Sequence, residues 1–449
     1  MEDFFEVKTV AEAWKTLCSH WTPVPLGVET LPLLESLGRV LAEEIRSRED
    51  LPPYPRATVD GYAVIARDTF GASQSLPAML RVVEEIPMGK VPAKALYPGE
   101  AARISTGGVL PKQADACVML EHTTLLEDGT VLVEKPVAPG ENIVFQGEDI
   151  PRGRVVLDAG RVLGPYELGA LAAIGQTSVA VVKKPAVAVI SSGDEIVPPD
   201  VTPAPGEIRD INSYSVAASV VKALGTPVLL GISRDTYEDV RRFVEAGIER
   251  AELVVISGGS SVGAKDLVLK VLSDLGPPGV VVHGVAVRPG KPVILAVCRG
   301  KPVFGLPGHP VSCLTAFDLF VLPAIVRAYR VTLGLERDEL TPGPPPGRAG
   351  LLHAQDGLLV GGVASNSVTA RLSRNLSSAP GREDHIRVKL RNDDGVLWAD
   401  PVLGKSGLIS VMVDSDGEIV IPPEREGLRA GEEIVVKLTN PAFQFPVRD

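Results

Sequence analysis

Two glycine-rich loops and a basic turn between them carry the residues of this 449-residue chain that are best suited to binding chemistry. The three segments are Gly258–Gly263, Arg288–Pro292 and Pro307–Pro310. Glycines let the backbone approach a ligand closely, loops of this kind present N–H groups to an anion, and Arg288 and Lys291 give the turn two cations. Each loop alone is equally typical of a structural turn. Together they predict a site for a phosphorylated, polyanionic small molecule.

Alternating strand and helix patterns surround these loops and predict an α/β domain with a largely parallel sheet over residues 183–332. Loops that follow parallel strands share one edge of the sheet, and ligands bind at that edge. Asp194 and Glu195 follow another predicted strand, and Asp235 follows a third. Such carboxylates suit a hard cation such as Mg2+ or polar contacts with a ligand, and a capping role within a turn is the alternative.

The remaining segments predict an N-terminal helical region and two β-rich regions. Thr9 is a candidate N-cap for a helix over 8–20, and a second helix is predicted over 32–46. Short strands separated by glycine and proline turns predict a β-rich module over 48–147. After a proline-rich linker, strands that include Ile409–Val413 predict a small β-barrel or sandwich.

The amino-acid sequences of the three candidate ligand-binding segments resemble those of a known family. SGGSSVGAKD, RPGKP and GLPGHPVS, in this order and spacing, resemble the molybdopterin-binding domain of the MoeA family, the molybdopterin molybdenumtransferases, which includes the E domain of gephyrin. Ser260 stands where the family usually has valine, and His309 where asparagine is common. Further stretches that resemble the family are spread over nearly the whole chain: 56–64, 103–108, 140–150, 206–213, 379–382 and 404–410.

The resemblance implies four domains, of which the α/β domain is MogA-like. An inserted β-rich domain (48–147) interrupts a discontinuous N-terminal dimerisation domain (1–47 and 148–182). The α/β molybdopterin-binding domain (183–332) precedes a C-terminal small β-barrel (340–449). The resemblance also implies a homodimer, with a site between the α/β domain of one subunit and modules of the other. A transient contact with a molybdopterin adenylyltransferase is a further expectation.

The activity that the resemblance implies is molybdenum insertion. Such an enzyme takes adenylylated molybdopterin and molybdate, uses Mg2+, inserts the metal at the dithiolene sulfurs and releases AMP. The catalytic candidates are Asp60, Thr106, Asp149, Glu195 and Asp266. The substrate-binding candidates are Gly258, Gly259, Ser261, Gly263, Asp210, Asn212, Asp235, Arg288, Lys291, Pro307, Gly308, Pro310, Arg382 and Ser406. The Mg2+ candidates are Asp194, Glu195 and Asp266.

Composition bears on the partners and the compartment. The net charge of −11 argues against nucleic acid, so any anion site must be a local cationic pocket. The four cysteines show no C-x-x-C spacing, which favours a reducing compartment over a zinc site or disulfide framework. No targeting segment is expected, and the most apolar helix, interrupted by Asp318 and Pro323, is expected to be too short to span a bilayer. We therefore expect a cytoplasmic protein without a membrane partner.

Three other functions fit parts of the sequence. A tungstate-specific insertase of the same family fits equally well, because the two oxyanions differ little in size and charge. A non-catalytic scaffold is the second, since gephyrin uses this fold to bind receptor peptides, but the acidic candidates are all present here. The third is a nucleotide-binding protein of the CinA type that shares only the α/β domain. The matches at 56–64 and 404–410 lie outside that domain and argue against it.

Overall fold

The computed structural model describes residues 7–258, 262–335, 367–402, 404 and 407–439, with no description of the side chains of 262–266. The chain forms two compact units. The larger unit comprises Met1–Glu43, Ala159–Gly164 and Ser178–Asp449. The smaller unit comprises Glu44–Asp158 and Pro165–Thr177.

The N-terminal helix α1 (Val10–His20) begins after Thr9, the predicted N-cap, which forms a capping box with Glu12. The Thr9 hydroxyl accepts a hydrogen bond from Glu12 N at 3.2 Å, and the Glu12 carboxylate accepts one from Thr9 N at 2.9 Å. Leu17 and other apolar side chains of α1 lie in the core of the larger unit. Strand β1 (Val28–Pro32) follows and pairs antiparallel with β12 (Ser178–Val182).

The predicted helix over 32–46 is wrong. This segment contains only the short 3-10 turn Leu34–Ser36, and it ends in strand β2 (Ile45–Arg46). Gly38 has a positive φ of 72°, and its N–H donates to Leu163 O at 2.7 Å. Leu41 N donates to the carbonyl of residue 161 at 2.9 Å. Pairing with a distant segment therefore replaces the helix that the local pattern favours.

The smaller unit is built on a six-stranded sheet in the order β7-β4-β6-β5-β9-β8, in which only β5 and β6 pair in parallel. Its elements are β3 (Arg56–Ala57), β4 (Gly61–Val64), β5 (Ala78–Ile86), β6 (Glu100–Ile104), β7 (Ala116–Met119), β8 (Thr123–Leu125), β9 (Thr130–Val133), β10 (Ile143–Val144), β11 (Val155–Leu157) and α2 (Pro165–Ala173). Along β4, Tyr62 and Val64 enter one apolar cluster and Ala63 the other. The sheet is therefore covered on both faces, and the predicted β-rich character is observed.

The α/β part of the larger unit contains a six-stranded sheet in the order β16-β13-β17-β21-β20-β18. The first four strands pair in parallel, whereas β20 runs antiparallel to both of its neighbours, β21 and β18, so the sheet is mixed. The strands are β13 (Ala186–Ser192), β14 (Ile196–Val197), β15 (Ile208–Arg209), β16 (Thr226–Ser233), β17 (Leu253–Gly258), β18 (Gly279–His283), β19 (Val287–Arg288), β20 (Ile294–Cys298) and β21 (Lys301–Leu306). The helices are α3 (Asn212–Lys222), α4 (Tyr237–Arg250), α5 (Val262–Asp274), α6 (Pro310–Ala316) and α7 (Leu322–Thr332). Val255 packs on one face of β17, and Val254 and Ile256 pack on the other.

Helices α6 and α7 join through a π-helical turn, Phe317–Val321, into one helical run of 23 residues. By length and composition this run could span a membrane, so the expectation that it is too short was wrong. However, 67% of its most apolar window is buried inside the protein. Phe317, Phe320 and Ile325 lie in the core cluster that covers one face of the sheet.

The C-terminal part is a closed five-stranded barrel, as the sequence pattern predicts. Strand β24 pairs with both β25 and β26, which closes the order β24-β25-β22-β28-β26. The elements are β22 (Ser367–Leu372), β23 (Leu376–Ser377), β24 (Glu383–Asp393), β25 (Val396–Pro401), α8 (Ser410–Val413), β26 (Gly417–Ile421), β27 (Gly427–Leu428) and β28 (Glu433–Leu438).

The predicted strand Ile409–Val413 is wrong, because this segment forms the helical turn α8. Asp414 N donates to Ser410 O at 2.8 Å, and Val413 N donates to Ile409 O at 3.3 Å. Val411 is buried and Val413 is 79% exposed, so the inward and outward alternation of a barrel strand is missing. A short apolar run does not distinguish a strand from a helical turn by its period alone.

Candidate functional site

A cleft of about 1190 Å3 in the larger unit lies between the edge of the sheet and the barrel. Its walls include the ends of β17 and β21, the basic turn and the beginning of β24. The Lys and Arg side chains that line it are Arg288, Lys291, Arg382 and Arg387. Among the described residues, Asp384 is the one acidic side chain in the lining. The cleft is therefore a local cationic site on an acidic chain, as an anion site requires.

The basic turn is held against the barrel by main-chain pairing. Strand β19 pairs in parallel with β24, so that Arg288 lies opposite Asp384. Glu383 N donates to Ala286 O at 2.9 Å. On the other side of the turn, the carbonyl of Lys291 accepts hydrogen bonds from Val285 N and Val293 N. These contacts fix the backbone that carries Arg288 and Lys291, whose side chains are exposed to the cleft.

The first described residues of the two glycine-rich segments, at the carboxyl ends of β17 and β21, line the same cleft. Gly258, Pro307 and Gly308 line it. Gly258 has a φ of 129°, and a Cβ there would lie 1.9 Å from the carbonyl oxygen of Ser192. Packing alone therefore requires glycine at 258. Pro310 does not line the cleft but occupies the first turn of α6, where proline is favoured.

Asp210 and Asn212 are buried beneath this edge rather than exposed in the cleft. Asp210 Oδ1 accepts hydrogen bonds from Ser191 Oγ at 2.7 Å and from Ser213 N at 3.1 Å. Asn212 Nδ2 donates to Gly308 O at 2.9 Å, while its Oδ1 is buried with no hydrogen-bond partner among the described residues. The two side chains hold the loops in place, and neither lines the cleft.

Three predicted carboxylates lie near one another at strand ends of the same sheet. Asp194 Oδ1 accepts a hydrogen bond from Asp235 N at 3.2 Å, and Asp235 Oδ1 accepts one from Ser192 Oγ at 2.9 Å. Burial raises the pKa of Asp235, and the charges of Asp194 and Glu195 raise that pKa further. The three carboxylates therefore repel one another. In the described part of the chain, no group of three or more acidic, His or Cys side chains is arranged to hold a metal.

In the smaller unit, two of the predicted catalytic residues are hydrogen-bonded to each other. Asp60 Oδ1 accepts hydrogen bonds from Thr106 N at 2.7 Å and from Thr106 Oγ1 at 3.1 Å. Both residues are exposed. Asp149 is also exposed, and its carbonyl accepts a hydrogen bond from Arg154 at 2.6 Å.

Several candidates fall outside the described residues. Gly259, Ser261 and Ser406 are not described, and of Gly263 and Asp266 only the backbone, in α5, is described. Their proposed roles stay predictions.

Other polar residues of the cleft were not predicted from the sequence. They are His385, Arg387, Asn375, Ser377 and Asp384. His385 is wedged between two carboxylates: its Nε2 lies 2.7 Å from Glu383 and its Nδ1 lies 2.8 Å from Glu418. Burial alone would lower the pKa of His385, but the charge of Glu418 and the hydrogen bonds raise it to about 9. The sequence signal that could have revealed these residues is the group of charged side chains that directly follows Arg382.

Three family models match successive parts of the chain. The MoeA N-terminal region (domain I and II) matches residues 8–175. A probable molybdopterin binding domain matches 188–327, and the MoeA C-terminal region (domain IV) matches 369–439.

Individual proteins are similar over nearly the full length. The molybdopterin molybdenumtransferase of Staphylococcus aureus (strain Mu50) is 35% identical over 432 residues, which is 96% of this chain and 95% of that protein. The molybdopterin molybdenumtransferase of Bacillus subtilis is 31% identical over 91% of this chain and 89% of its own. The crystal structure of the molybdopterin biosynthesis MoeA protein from Pyrococcus horikosii has a TM-score of 0.76 and 38% identity, and covers 96% of this chain and 99% of that chain.

Proposed function

The chain belongs to the MoeA family, and we propose that it is a molybdenum insertase that releases AMP from its substrate. It is a transferase of molybdenum cofactor biosynthesis that acts on a molybdopterin-related substrate. In the proposed reaction, adenylylated molybdopterin and molybdate are the substrates, and the metal is placed at the dithiolene sulfurs.

The cationic cleft is the observation that best supports this proposal. Adenylylated molybdopterin carries phosphates, and molybdate is a small dianion, so both need hydrogen-bond donors and cations. Arg288, Lys291 and Arg382 line one cleft, together with the glycine-rich loop ends. A cleft of about 1190 Å3 has room for a molecule larger than one oxyanion.

Mg2+ fits the chemistry of the neighbouring carboxylates. This ion is usually held by one or two carboxylates together with substrate phosphates, rather than by a complete cage of protein ligands. Asp194 and Glu195 are exposed at a strand end and can supply such oxygens. Bound there, Mg2+ would neutralise charge on the leaving phosphate. We propose Asp266 as a further candidate, from the resemblance alone.

Three further parts of the proposal rest on the family or, for the location, on the cysteine pattern. They are an obligate homodimer, a cytoplasmic location, and the division into four domains with the limits 1–47 with 148–182, 48–147, 183–332 and 340–449. A transient contact with a molybdopterin adenylyltransferase would deliver the substrate. A gephyrin-like scaffold role and a preference for tungstate are the alternatives that the following assay separates.

The deciding experiment is incubation with adenylylated molybdopterin, Mg2+ and either molybdate or tungstate, followed by assays of AMP and of the metal-containing cofactor. AMP release with molybdate supports the proposed function. Faster turnover with tungstate would assign the chain to the other oxyanion. No AMP release with either oxyanion would contradict an insertase and favour a scaffold.

Two carboxylate variants test the named residues in the same assay. We expect Glu195→Gln and Asp60→Asn to fold normally and to slow AMP release by more than about tenfold, or roughly 1.4 kcal/mol of barrier. Asp200→Asn, at an exposed aspartate on a nearby loop, is the matched control and should turn over like the wild type. Wild-type rates in both test variants would remove these residues from the mechanism.

A further inference from the structure

A buried carboxylate lies among the cations of the cleft. Asp384 is 2% exposed, and both its oxygens accept hydrogen bonds from Arg382. The distances are 2.8 Å from Nε to Oδ1 and 3.3 Å from Nη2 to Oδ2. Arg288 Nη1 lies 3.9 Å from Oδ2 of the same carboxylate. Asp384 therefore contacts one cation from the barrel and one from the basic turn.

The backbone around this meeting point is held by strand pairing, and the Arg382 guanidinium is held by Asp384. Arg288 lies opposite Asp384 in the β19/β24 pair, and its side chain is 64% exposed. A planar guanidinium that is held by two hydrogen bonds to one carboxylate presents its remaining N–H group in a set direction. The direction in which Arg382 points therefore depends on Asp384.

The other cations of the described lining, Arg387 and protonated His385, are already paired with the carboxylates of Glu383 and Glu418. Arg387 Nη2 lies 3.3 Å from Glu418 Oε2. This leaves Arg288, Lys291 and Arg382, with three positive charges, and Asp384, with one negative charge, so the group has a net charge of +2. That charge is equal and opposite to the charge of a tetrahedral dianion.

We propose that Asp384 is a positioning residue, which orients Arg382 and Arg288 toward the anionic substrate and limits the positive charge of the cleft. This inference rests on the proposed function. Oriented donors act mainly on the rate, because a small misplacement of a charged group costs more in the transition state than in the bound ground state. The total charge acts mainly on the affinity for the anion, because it does not depend on direction.

Asp384→Asn tests both parts, since it keeps the size of the side chain, removes its charge and replaces one acceptor by a donor. We expect kcat to fall by about tenfold. We expect KM for molybdate to fall as well, with a steeper dependence on ionic strength, because the cation group rises to +3. Partial unfolding would lower kcat and leave KM unchanged, so the change in KM separates positioning from a purely structural role.

Two further variants serve as a conservative replacement and as a control. Asp384→Glu keeps the charge and should recover part of the rate, and it replaces Asp384→Asn in the double-mutant cycle with Arg382→Ala if that variant folds poorly. Asp400→Asn is the control, because Asp400 Oδ2 accepts a hydrogen bond from Arg391 Nε at 3.3 Å on the barrel, and neither residue lines the cleft. It should change neither kcat nor KM.

A double-mutant cycle with Arg382→Ala decides whether Asp384 acts through Arg382. In the Arg382→Ala background, Asp384→Asn should lower kcat by less than twofold, because the group to be oriented is already gone. Additive effects, or an unchanged kcat in folded Asp384→Asn, would overturn the inference while wild-type turnover still upholds the proposed function. If the wild type shows no turnover, calorimetric titration with molybdate alone remains: tighter binding by Asp384→Asn supports the charge part, and unchanged affinity overturns the inference.

Discussion

At the scale of single residues, Lys291 gives the most direct test of the anion site. It is an exposed cation on a turn whose backbone is held on both sides. We expect Lys291→Ala to weaken binding of molybdopterin or its adenylylated form by about 1.5–3 kcal/mol, the range for a charged hydrogen bond. The loss should shrink at high salt, since a partly exposed cation is screened there. Calorimetric titration at two salt concentrations measures both effects.

Lys389→Ala is the matched control for this experiment. Lys389 is exposed on β24, the same strand that begins at the cleft, but it does not line the cleft. Its removal changes the net charge of the protein equally. If both variants lose the same affinity, the effect belongs to the overall charge, and the ligand does not bind against the basic turn.

At the scale of elements, β24 and β26 carry a buried ionic group whose charge depends on pH. His385 and Glu383 lie on β24, Glu418 lies on β26, and Arg387 faces Glu418 at 3.3 Å. The pKa of His385 is raised from 6.5 to about 9, because Glu418 and the hydrogen bonds outweigh the effect of burial. Desolvation alone would raise the pKa of Glu418, but Arg387 and His385 hold it well below its ordinary value.

The raised pKa of His385 gives the stability of the barrel a pH dependence of known sign. The stabilisation from protonated His385 should be complete below about pH 6.5 and disappear as the pH rises through about 9, with a size of about 3 kcal/mol. We therefore expect the gap in unfolding free energy between wild type and His385→Gln to narrow from pH 7 to pH 10. Denaturant unfolding at both pH values measures it, with His20→Gln, at an exposed histidine, as the control. A gap that stays constant or widens would show that His385 is not protonated in the folded state.

A substitution at Gly258, where β17 passes into its loop, can distinguish a packing role from a binding role for this glycine. Gly258 and Gly276 both have positive φ, 129° and 112°, so alanine strains the backbone at both positions by about 1–3 kcal/mol. Only at Gly258 would the new Cβ meet a backbone atom, Ser192 O, at 1.9 Å, whereas nothing lies within 4 Å at Gly276. We expect Gly258→Ala to lower the unfolding free energy well beyond Gly276→Ala in thermal and denaturant melts. Equal losses would show that the corner relaxes, which leaves ligand contact as the reason for glycine.

Features that depend on neighbouring residues could be predicted from the sequence, whereas features that depend on distant parts of the chain could not. The N-cap at Thr9 is a local pattern, and helix α1 lies where it was predicted. The segment 32–46 has a helical pattern, but its hydrogen bonds go to residues 161 and 163, which no local pattern reveals. In the cleft, the motifs led to Arg288 and Lys291. Asp384 was not predicted, because its contact with Arg288 depends on the pairing of β19 with a barrel strand far along the chain.

At the scale of the whole molecule, the proposed homodimer is the part with the largest consequence for function. The predicted site residues are divided between the two units: the catalytic candidates Asp60 and Thr106 belong to the smaller unit, and the catalytic candidate Glu195 and the substrate-binding candidate Lys291 belong to the larger. A monomer mass in sedimentation at micromolar concentration would contradict the homodimer. A dimer mass alone does not show that residues of two subunits act in one site, so a functional test is needed.

Complementation between two inactive variants supplies that test. If each site draws on the smaller unit of one subunit and the larger unit of the other, a heterodimer of Asp60→Asn and Lys291→Ala contains one site with both defects and one site with none. Random pairing makes about half of the dimers mixed, so co-expression should restore about a quarter of wild-type AMP release. Co-expression of Asp60→Asn with Thr106→Val is the control, because both defects lie in the same unit and hydrogen-bond each other, so every site retains a defect. Activity no higher than that of the single variants would place both residues of each site in one subunit.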